Sequence, residues 1–365
     1  MEKEVGSLIK RAKLKRCGSD TYPVLSMTMH EGLVFQNDRF KKQIASIDQS
    51  QYQVVYRHQL VESFPIDEGV LAVQELTEAG IVSPAYKIWD IDMNLVVPKY
   101  LEYALRAPRS IEYYKLNLRG TTARRRSISD FELCSMKIIC PSLDEQQRIV
   151  AIIEKVQKVI IHKQKEVTVL DNLIQARFVE MFGDPVSNSY GLPEATLPEL
   201  GEFGRGVSKH RPRNDPRLLD GEYPLVQTGD VANASLYIMS YNSTYSELGL
   251  KQSKMWSKGT LCITIAANIA KTAILEFDAC FPDSVVGFIA NEKTNNIFIH
   301  YWFSFFQAIL ESQAPESAQK NINLKILSEL KVIVPEKEKQ NEFVDFVHQI
   351  NKYKSASKNY CRLTA

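Results

Sequence analysis

Met136-Lys137-Ile138-Ile139-Cys140-Pro141 is an apolar strand closed by a proline, and it leads through Asp144-Glu145-Gln146 into Ile149-Val150-Ala151-Ile152-Ile153. The same succession returns as Leu330-Lys331-Val332-Ile333-Val334-Pro335, then Gln340, then Phe343-Val344-Asp345-Phe346-Val347. Proline to glutamine is five residues in both copies, and the apolar helix positions keep register behind it. A polar or basic loop precedes each strand: Arg124-Arg125-Arg126-Ser127-Ile128 in the first copy, Gln319-Lys320-Asn321-Ile322 in the second. A duplicated module implies a target that is itself in two parts, or a two-fold symmetric partner.

Behind Pro141 lies the clearest helical signal in the chain. Positions 149, 153, 156, 160, 163, 167, 170, 174, 177 and 181 alternate steps of four and three, the spacing of a coiled-coil seam. Ile149, Ile153, Val156, Ile160, Val167, Leu170 and Ile174 carry it, with Met181 beyond and Lys163 and Arg177 as interruptions. At ~1.5 Å per residue, a helix over 144–182 is a rod of roughly 58 Å. Gly183-Asp184-Pro185 ends it, since glycine takes a left-handed cap and proline cannot continue. A long amphipathic helix needs a partner, and Phe343, Val347 and Ile350 supply one before the second helix turns polar at Lys354 and Ser357. The two helices are expected to lie antiparallel.

Outward from these helices the chain reads as two similar domains. Residues 1–143 form the first, 144–182 the long helix, 183–194 a linker, 195–335 the second domain and 336–365 the shorter second helix. Expected strands are Tyr22-Pro23-Val24-Leu25-Ser26-Met27 and Tyr52-Gln53-Val54-Val55-Tyr56 in the first domain. Tyr223-Pro224-Leu225-Val226 and Leu261-Cys262-Ile263-Thr264-Ile265 answer them in the second. Helices are expected over 98–118 and 298–310, with their tyrosines, Trp302 and phenylalanines as core. Val5-Gly6-Ser7-Leu8-Ile9 stands where Leu200-Gly201-Glu202-Phe203 stands later. The fold class is α+β.

Net charge is +2 over 365 residues, which by itself names no partner. Placement is more informative. Lys10, Arg11, Lys13, Lys15 and Arg16 form one cationic cluster, Arg119 and Arg124–Arg126 a second, and Arg205, Lys209, Arg211 and Arg213 a third. Local cationic patches on a nearly neutral chain point to an anion-facing surface. Six cysteines without a Cys-x-x-Cys pair fit a reducing cytoplasm better than a disulfide frame or zinc site. The longest apolar run, Ile297 to Leu310, is too short and too interrupted to span a bilayer. A soluble, cytoplasmic protein is expected.

Catalytic motifs are mostly missing. There is no Gly-Lys-Ser/Thr phosphate loop, and Gly204-Arg205-Gly206 reads better as a flexible loop than as a cofactor cradle. Pro282-Asp283 with Glu329-Leu330-Lys331 loosely resembles a nuclease metal site, although the gap is long and the first domain has no equivalent. That leaves a stand-alone metal-dependent nuclease as a competing reading. Arginine runs are usually solvated loops. Here both loops before the closing strands carry side chains that reach phosphates and base edges: Thr121, Thr122, Arg124, Arg125 and Arg126 in one, Ser317, Gln319, Lys320 and Asn321 in the other. Similar placement with different residues is what two readers of different sequences require. Lys209, Arg211 and Arg213, stiffened by Pro212, are candidate phosphate contacts; Gln227, Thr228, Asn268 and Lys271 are further DNA-contact candidates, with plain turn chemistry as their alternative.

The ordered double occurrence resembles the DNA-specificity subunits of type I restriction–modification systems over nearly the whole chain. Ser317, Gln319, Ile322, Pro335 and Gln340 carry it in copy two, as does Phe182-Gly183-Asp184-Pro185 at the joint before the second domain. Copy one departs where Arg124–Arg126 replace the usual glutamine region. The resemblance implies two target-recognition domains, each reading half of a bipartite site in double-stranded DNA, with the paired helices setting the gap. It also implies two methyltransferase subunits docked on the helices, and two restriction/translocase subunits as further partners. The chain would then be non-catalytic and hold no cofactor; S-adenosylmethionine, ATP and Mg²⁺ would sit on the partners. The short second helix also admits a truncated, inactive variant of such a subunit.

Overall fold

The structure, a computed structural model, describes residues 1–39, 49–118, 126–266, 268–313 and 322–362. The chain divides into two compact units, Met1–Val159 and Ile160–Ala365, with the boundary inside the long helix. Each unit builds its own hydrophobic core.

The repeat is topological as well as sequential. In the first unit Glu2–Glu4 pairs antiparallel with the closing strand Lys137–Ile139, Glu2 facing Ile139 and Glu4 facing Lys137. In the second unit Glu194–Thr196 pairs in the same sense with Lys331–Ile333, Glu194 facing Ile333 and Thr196 facing Lys331. Each copy is thus closed by its own first strand. A short helix follows the opening strand in both, Val5–Ser7 and Leu197–Leu200. Next comes the edge strand of a sheet. Ile9–Arg11 pairs with Lys87–Ile91, and Gly201–Arg205 with Val285–Ala290. The two glycines of the matched openings are held by close approach: a Cβ on Gly201 would lie 2.1 Å from the Ile289 carbonyl oxygen, and one on Gly6 2.8 Å from the Cys134 Cβ.

The first sheet has four strands, in order Ile9–Arg11, Lys87–Ile91, Leu60–Glu62 and Leu71–Val73. The second has five, in order Gly201–Arg205, Val285–Ala290, Leu261–Thr264, Thr272–Leu275 and Tyr237–Ile238. The Tyr-Pro strands, Leu25–Thr28 and Leu219–Leu225, lie in separate smaller sheets in both units. The aromatic helix of the second unit runs over Asn296–Gln313 as one piece. Its counterpart expected over 98–118 is two helices, Pro98–Arg106 and Pro108–Leu116. Pro108 is the cause: it has no N–H to continue the ladder, and it drives Ala107 into extended backbone at φ −64, ψ 151.

Both long helices, Leu143–Phe182 and Lys337–Arg362, are tied in at their first turn by the glutamine of the repeat. Gln146 is fully buried; its Nε2 donates to the Pro141 carbonyl at 2.9 Å and its Oε1 accepts from the Val97 N–H at 2.8 Å. Gln340, equally buried, donates to the Pro335 carbonyl at 2.8 Å and the Lys293 carbonyl at 3.0 Å, and accepts from the Thr294 hydroxyl at 3.0 Å. One amide offers two donors and an acceptor, so it can satisfy a proline carbonyl and the loop leading to the helix of its unit together. The fixed proline–glutamine spacing is therefore structural.

Within the second unit the two helices pair antiparallel. Phe178 and Phe182 lie 5.3 and 5.7 Å from Phe343, Arg177 meets Glu342 at 2.9 Å, and further along Asp171 meets Lys354. Rising from Phe343 to Lys354 thus means descending from Phe182 to Asp171. Ile174, Phe178, Phe182, Phe343, Val347 and Ile350 share one core with Phe298, Tyr301 and Trp302. Here the sequence seam needs correcting: beyond Leu170 the buried row steps by fours through Ile174, Phe178 and Phe182, while Arg177 stays half-buried. Packing against a domain core, rather than against one helix alone, favours the straight i, i+4 row. Ile149 packs on the first unit's core, and Ile153, Val156, Ile160 and Val167 are half-buried.

Replacing either glutamine by leucine keeps the volume but orphans a buried carbonyl and its loop partner, a loss of ~1–3 kcal/mol. Gln340→Leu should lower the unfolding midpoint of the second unit and Gln146→Leu that of the first. A calorimetric trace of either variant superimposable on the parent would remove the anchoring role.

Candidate nucleic-acid interface

The candidate loop of the first unit ends on a rigid stem. Thr121, Thr122, Arg124 and Arg125 lie outside the described residues, as do Ser317, Gln319, Lys320 and Asn321. Arg126 is described, and its guanidinium has another duty. Nε meets Asp67 at 3.0 Å and Nη2 meets Glu68 at 2.8 Å, while its backbone carbonyl accepts from the Ile66 N–H at 3.0 Å. Two residues on, the Ile128 carbonyl accepts from Lys87 Nζ at 3.0 Å, and the same ammonium bridges Glu62 at 3.0 Å and Asp130 at 2.8 Å. Glu62 also accepts from Trp89 Nε1 at 3.0 Å; burial pushes its carboxyl above the usual range, and the paired lysine opposes that. The arginine run therefore divides, with its last member anchoring the stem.

The cationic loop of the second unit leaves the edge strand Gly201–Arg205 and is braced by carboxylates. Arg211 Nη1 donates to the Ser208 and His210 carbonyls at 2.6 and 2.8 Å, and Nη2 lies 3.4 Å from Asp283. Arg213 pairs with the other oxygen of the same carboxylate. His210 Nε2 sits 3.0 Å from Asp215, which Arg217 grips at 2.7 Å and holds far below the ordinary carboxylate range. Lys209 is exposed. Asp283, central to the nuclease reading, thus faces two arginines, and Glu329 faces Lys325 at 3.7 Å. Among the described residues no group of three or more His, Cys, Asp or Glu is placed to hold a metal.

Gln227 takes part in turn chemistry, and Thr228 opens the helix behind it. Gln227 caps the helix Thr228–Asn233; its N–H donates to Asp230 at 2.8 Å and its Nε2 to the Ser243 hydroxyl at 3.2 Å. Asn268 is exposed, and its carbonyl accepts from the Thr264 hydroxyl inside a turn. Lys271 lines a polar cavity of about 310 Å³ with His300, Tyr301, Ser304, Asp171 and Lys354. Across that cavity Lys354, nearly buried, pairs with the more exposed Asp171, and His300 Nδ1 lies 2.9 Å from the Thr272 hydroxyl. Burial, and then the nearby Lys354 charge, push the His300 imidazole down to about 4. Of the expected core aromatics, Tyr100, Tyr114, Tyr301, Trp302 and Phe303 are buried, Tyr113, Phe305 and Phe306 pack half-buried against the same cores, and Tyr103 is half-buried outside them. No helix among the described residues is long and apolar enough to cross a membrane.

Residues 194–360 match the family profile of the type I restriction modification DNA specificity domain. The chain is 23% identical over 260 residues to the putative type I restriction enzyme MjaX specificity subunit of Methanocaldococcus jannaschii. That alignment covers 68% of this chain and 60% of the relative, so the match spans about three fifths of the relative's length. Among solved structures, the fold is similar to a chain from work on complex assembly and conformational transition of the type I R-M system. The TM-score is 0.60 at 17% identity, covering all of this chain and 93% of that one. The type-I restriction-modification system S subunit from M. genitalium matches at a TM-score of 0.55 and 14% identity, over 99% of this chain and 91% of that one.

The cavity histidine makes stability depend on pH. Folded His300 stays neutral down to about pH 4, whereas an unfolded histidine protonates near 6.5. Its contribution is complete above about pH 6.5 and drains away as pH falls toward 4, by roughly 1–3 kcal/mol because the residue as a whole keeps some solvent contact. Thermal unfolding of His300→Gln against the parent should show a flatter midpoint profile across that window. Parallel profiles would show that the histidine titrates alike in both states.

Proposed function

We propose that this chain belongs to the type I restriction–modification DNA-specificity family and is the non-catalytic DNA-reading subunit of a methylation or restriction complex. The observation that carries the reading is the duplication. The same strand pairing, buried glutamine and helix start occur twice, each unit with a loop of different sequence upstream of its closing strand. Two copies of one scaffold bearing different loops suit a target in two unlike halves, each unit reading one. Arginine and lysine bidentate to guanine, and glutamine or asparagine to adenine, are the chemistry those loops offer.

The long helices are the second part of the proposal. They set the distance between the half-sites and present apolar side chains to methyltransferase subunits. Ile152, Val159, Val169 and Leu173 of the first helix are exposed by 62, 52, 63 and 45%. Solvent-facing aliphatics recurring along one helix are what a partner helix or groove covers. S-adenosylmethionine, ATP and Mg²⁺ belong to those partners, and the cytoplasm is the compartment where such a complex meets DNA.

Arg125→Ala and Arg126→Ala separate reading from anchoring. With the complete complex, Arg125→Ala should relax one base position of the methylated site, at ~1–3 kcal/mol of discrimination. Arg126→Ala should leave the site unchanged and cost ~1–2 kcal/mol of stability, since it strips the nearly buried Asp67 of its half-exposed partner. Mapping methylated adenines in cells carrying each variant gives the readout. Cleavage of plasmid by the purified chain with Mg²⁺ and no other subunit would overturn the non-catalytic assignment.

A further inference from the structure

Both units send a cationic segment out from the edge strand of their sheet, but the two are compensated differently. In the second unit Asp283 takes both Arg211 and Arg213. In the first, Lys10, Arg11, Lys13, Lys15 and Arg16 put five cations into seven residues, all exposed. Among the described residues none of them has a carboxylate in ion-pair range. Asp90 stands opposite Lys10 in register, yet its Oδ1 accepts from Gln59 Nε2 at 2.7 Å.

The segment is held by its backbone, leaving the charged heads outward. The Ala12 N–H donates to the Ile88 carbonyl at 3.0 Å, the Val54 N–H to the Lys15 carbonyl at 2.8 Å, and the Cys17 N–H to the Tyr52 carbonyl at 2.9 Å. It therefore stitches the sheet strand Lys87–Ile91 to the separate strand Gln53–Tyr56. Two cations are also pre-positioned. The Arg11 guanidinium lies 5.1 Å over the Trp89 ring, and Lys15 Nζ is 3.2 Å from both the Tyr22 and Tyr56 hydroxyls, whose hydrogen bonds raise its pKa further. Below runs a cleft of about 240 Å³. Gln53 on its wall is nearly buried, and its Nε2 already donates to the Pro84 and Tyr86 carbonyls at 3.0 and 2.7 Å. Five exposed cations against the single exposed amide of Gln51 on the cleft lining make a surface dominated by positive charge, which suits backbone phosphates.

We propose that Lys10–Arg16 is the phosphate-binding rail of the first unit, along which one strand of duplex DNA lies while the loop before the closing strand reaches the bases. The inference rests on the DNA-reading function proposed above. It assigns binding strength to a segment remote in sequence from the arginine run. The uncompensated repulsion among these side chains is relieved by the anion itself. Condensed counterions leave the DNA as the lysines and arginines replace them.

The test is equilibrium binding of the complete complex, across a salt series, to two duplexes: one bearing the methylated site and one lacking it. Lys10→Gln/Lys13→Gln/Arg16→Gln should weaken both by the same factor, and the slope of log affinity against log salt should become shallower by about 2 to 3, near 0.9 for each phosphate no longer neutralised. Lys10→Arg/Lys13→Arg/Arg16→Lys, which keeps the charge, should restore the parent slope and also controls for folding. Unchanged slope and affinity in the glutamine variant overturn the rail while leaving the DNA-reading function standing. A change in the ratio between the two duplexes would make the segment a base reader and overturn it too. Loss of the methyltransferase subunits with DNA affinity intact would assign the patch to an acidic protein surface instead. A parent complex without salt-dependent DNA binding would remove both proposals together.

Discussion

A buried glutamine at the first turn of each long helix is the constraint on which both units depend. A proline carbonyl beyond the last pair of a ladder has no strand N–H to accept from, and a helix start leaves its own amides unpaired. Gln146 and Gln340 meet the first demand with Nε2 and tie in the incoming loop with the rest of the amide. A longer or shorter spacing would carry the amide away from the carbonyl it serves, because a helix turns about 100° per residue. The strand, the loop and the helix are thereby fixed to one another at one point in each unit.

Around that point the two units diverge in how they handle charge. The first buries Glu62 beneath Lys87 and Trp89 and pins the stem of its arginine loop with Asp67 and Glu68. The second braces its cationic loop on Asp283 and Asp215. Carboxylates that face an arginine remove it from the pool available to an anion. In the described first unit the segment from Lys10 to Arg16 keeps five exposed cations with no ion-paired carboxylate. Charge counts alone make the three clusters equivalent; pairing distinguishes them.

The second unit is more than a copy of the first with a helix appended. Its aromatic helix, Asn296–Gln313, packs Phe298 against Phe178 at 5.2 Å and Phe182 at 5.2 Å, so the end of the first long helix lies in its core. Fully buried phenylalanines contribute ~1.5–3 kcal/mol each, and their edge-to-face contacts add somewhat less. This packing overrides the coiled-coil register there, which is why Phe178 replaces position 177 in the buried row.

The duplication, the long helices, their antiparallel pairing and a minority of the strands were legible in the sequence. They follow from local periodicity, proline placement and the repetition of both, which need no knowledge of distant contacts. Pro108, which splits residues 98–118, stands in the sequence too, but apolar spacing continues smoothly through it and reads as one helix. What only the tertiary structure decided is which cations are spoken for: Arg126 by Asp67, Arg213 by Asp283, Lys87 by Glu62. It also decided that each copy is closed by its own first strand, and that the repeated glutamine is an anchor rather than a recognition residue. These pairings join residues tens of positions apart, and ion pairs and buried amides leave no periodic trace along a chain by which they could be anticipated.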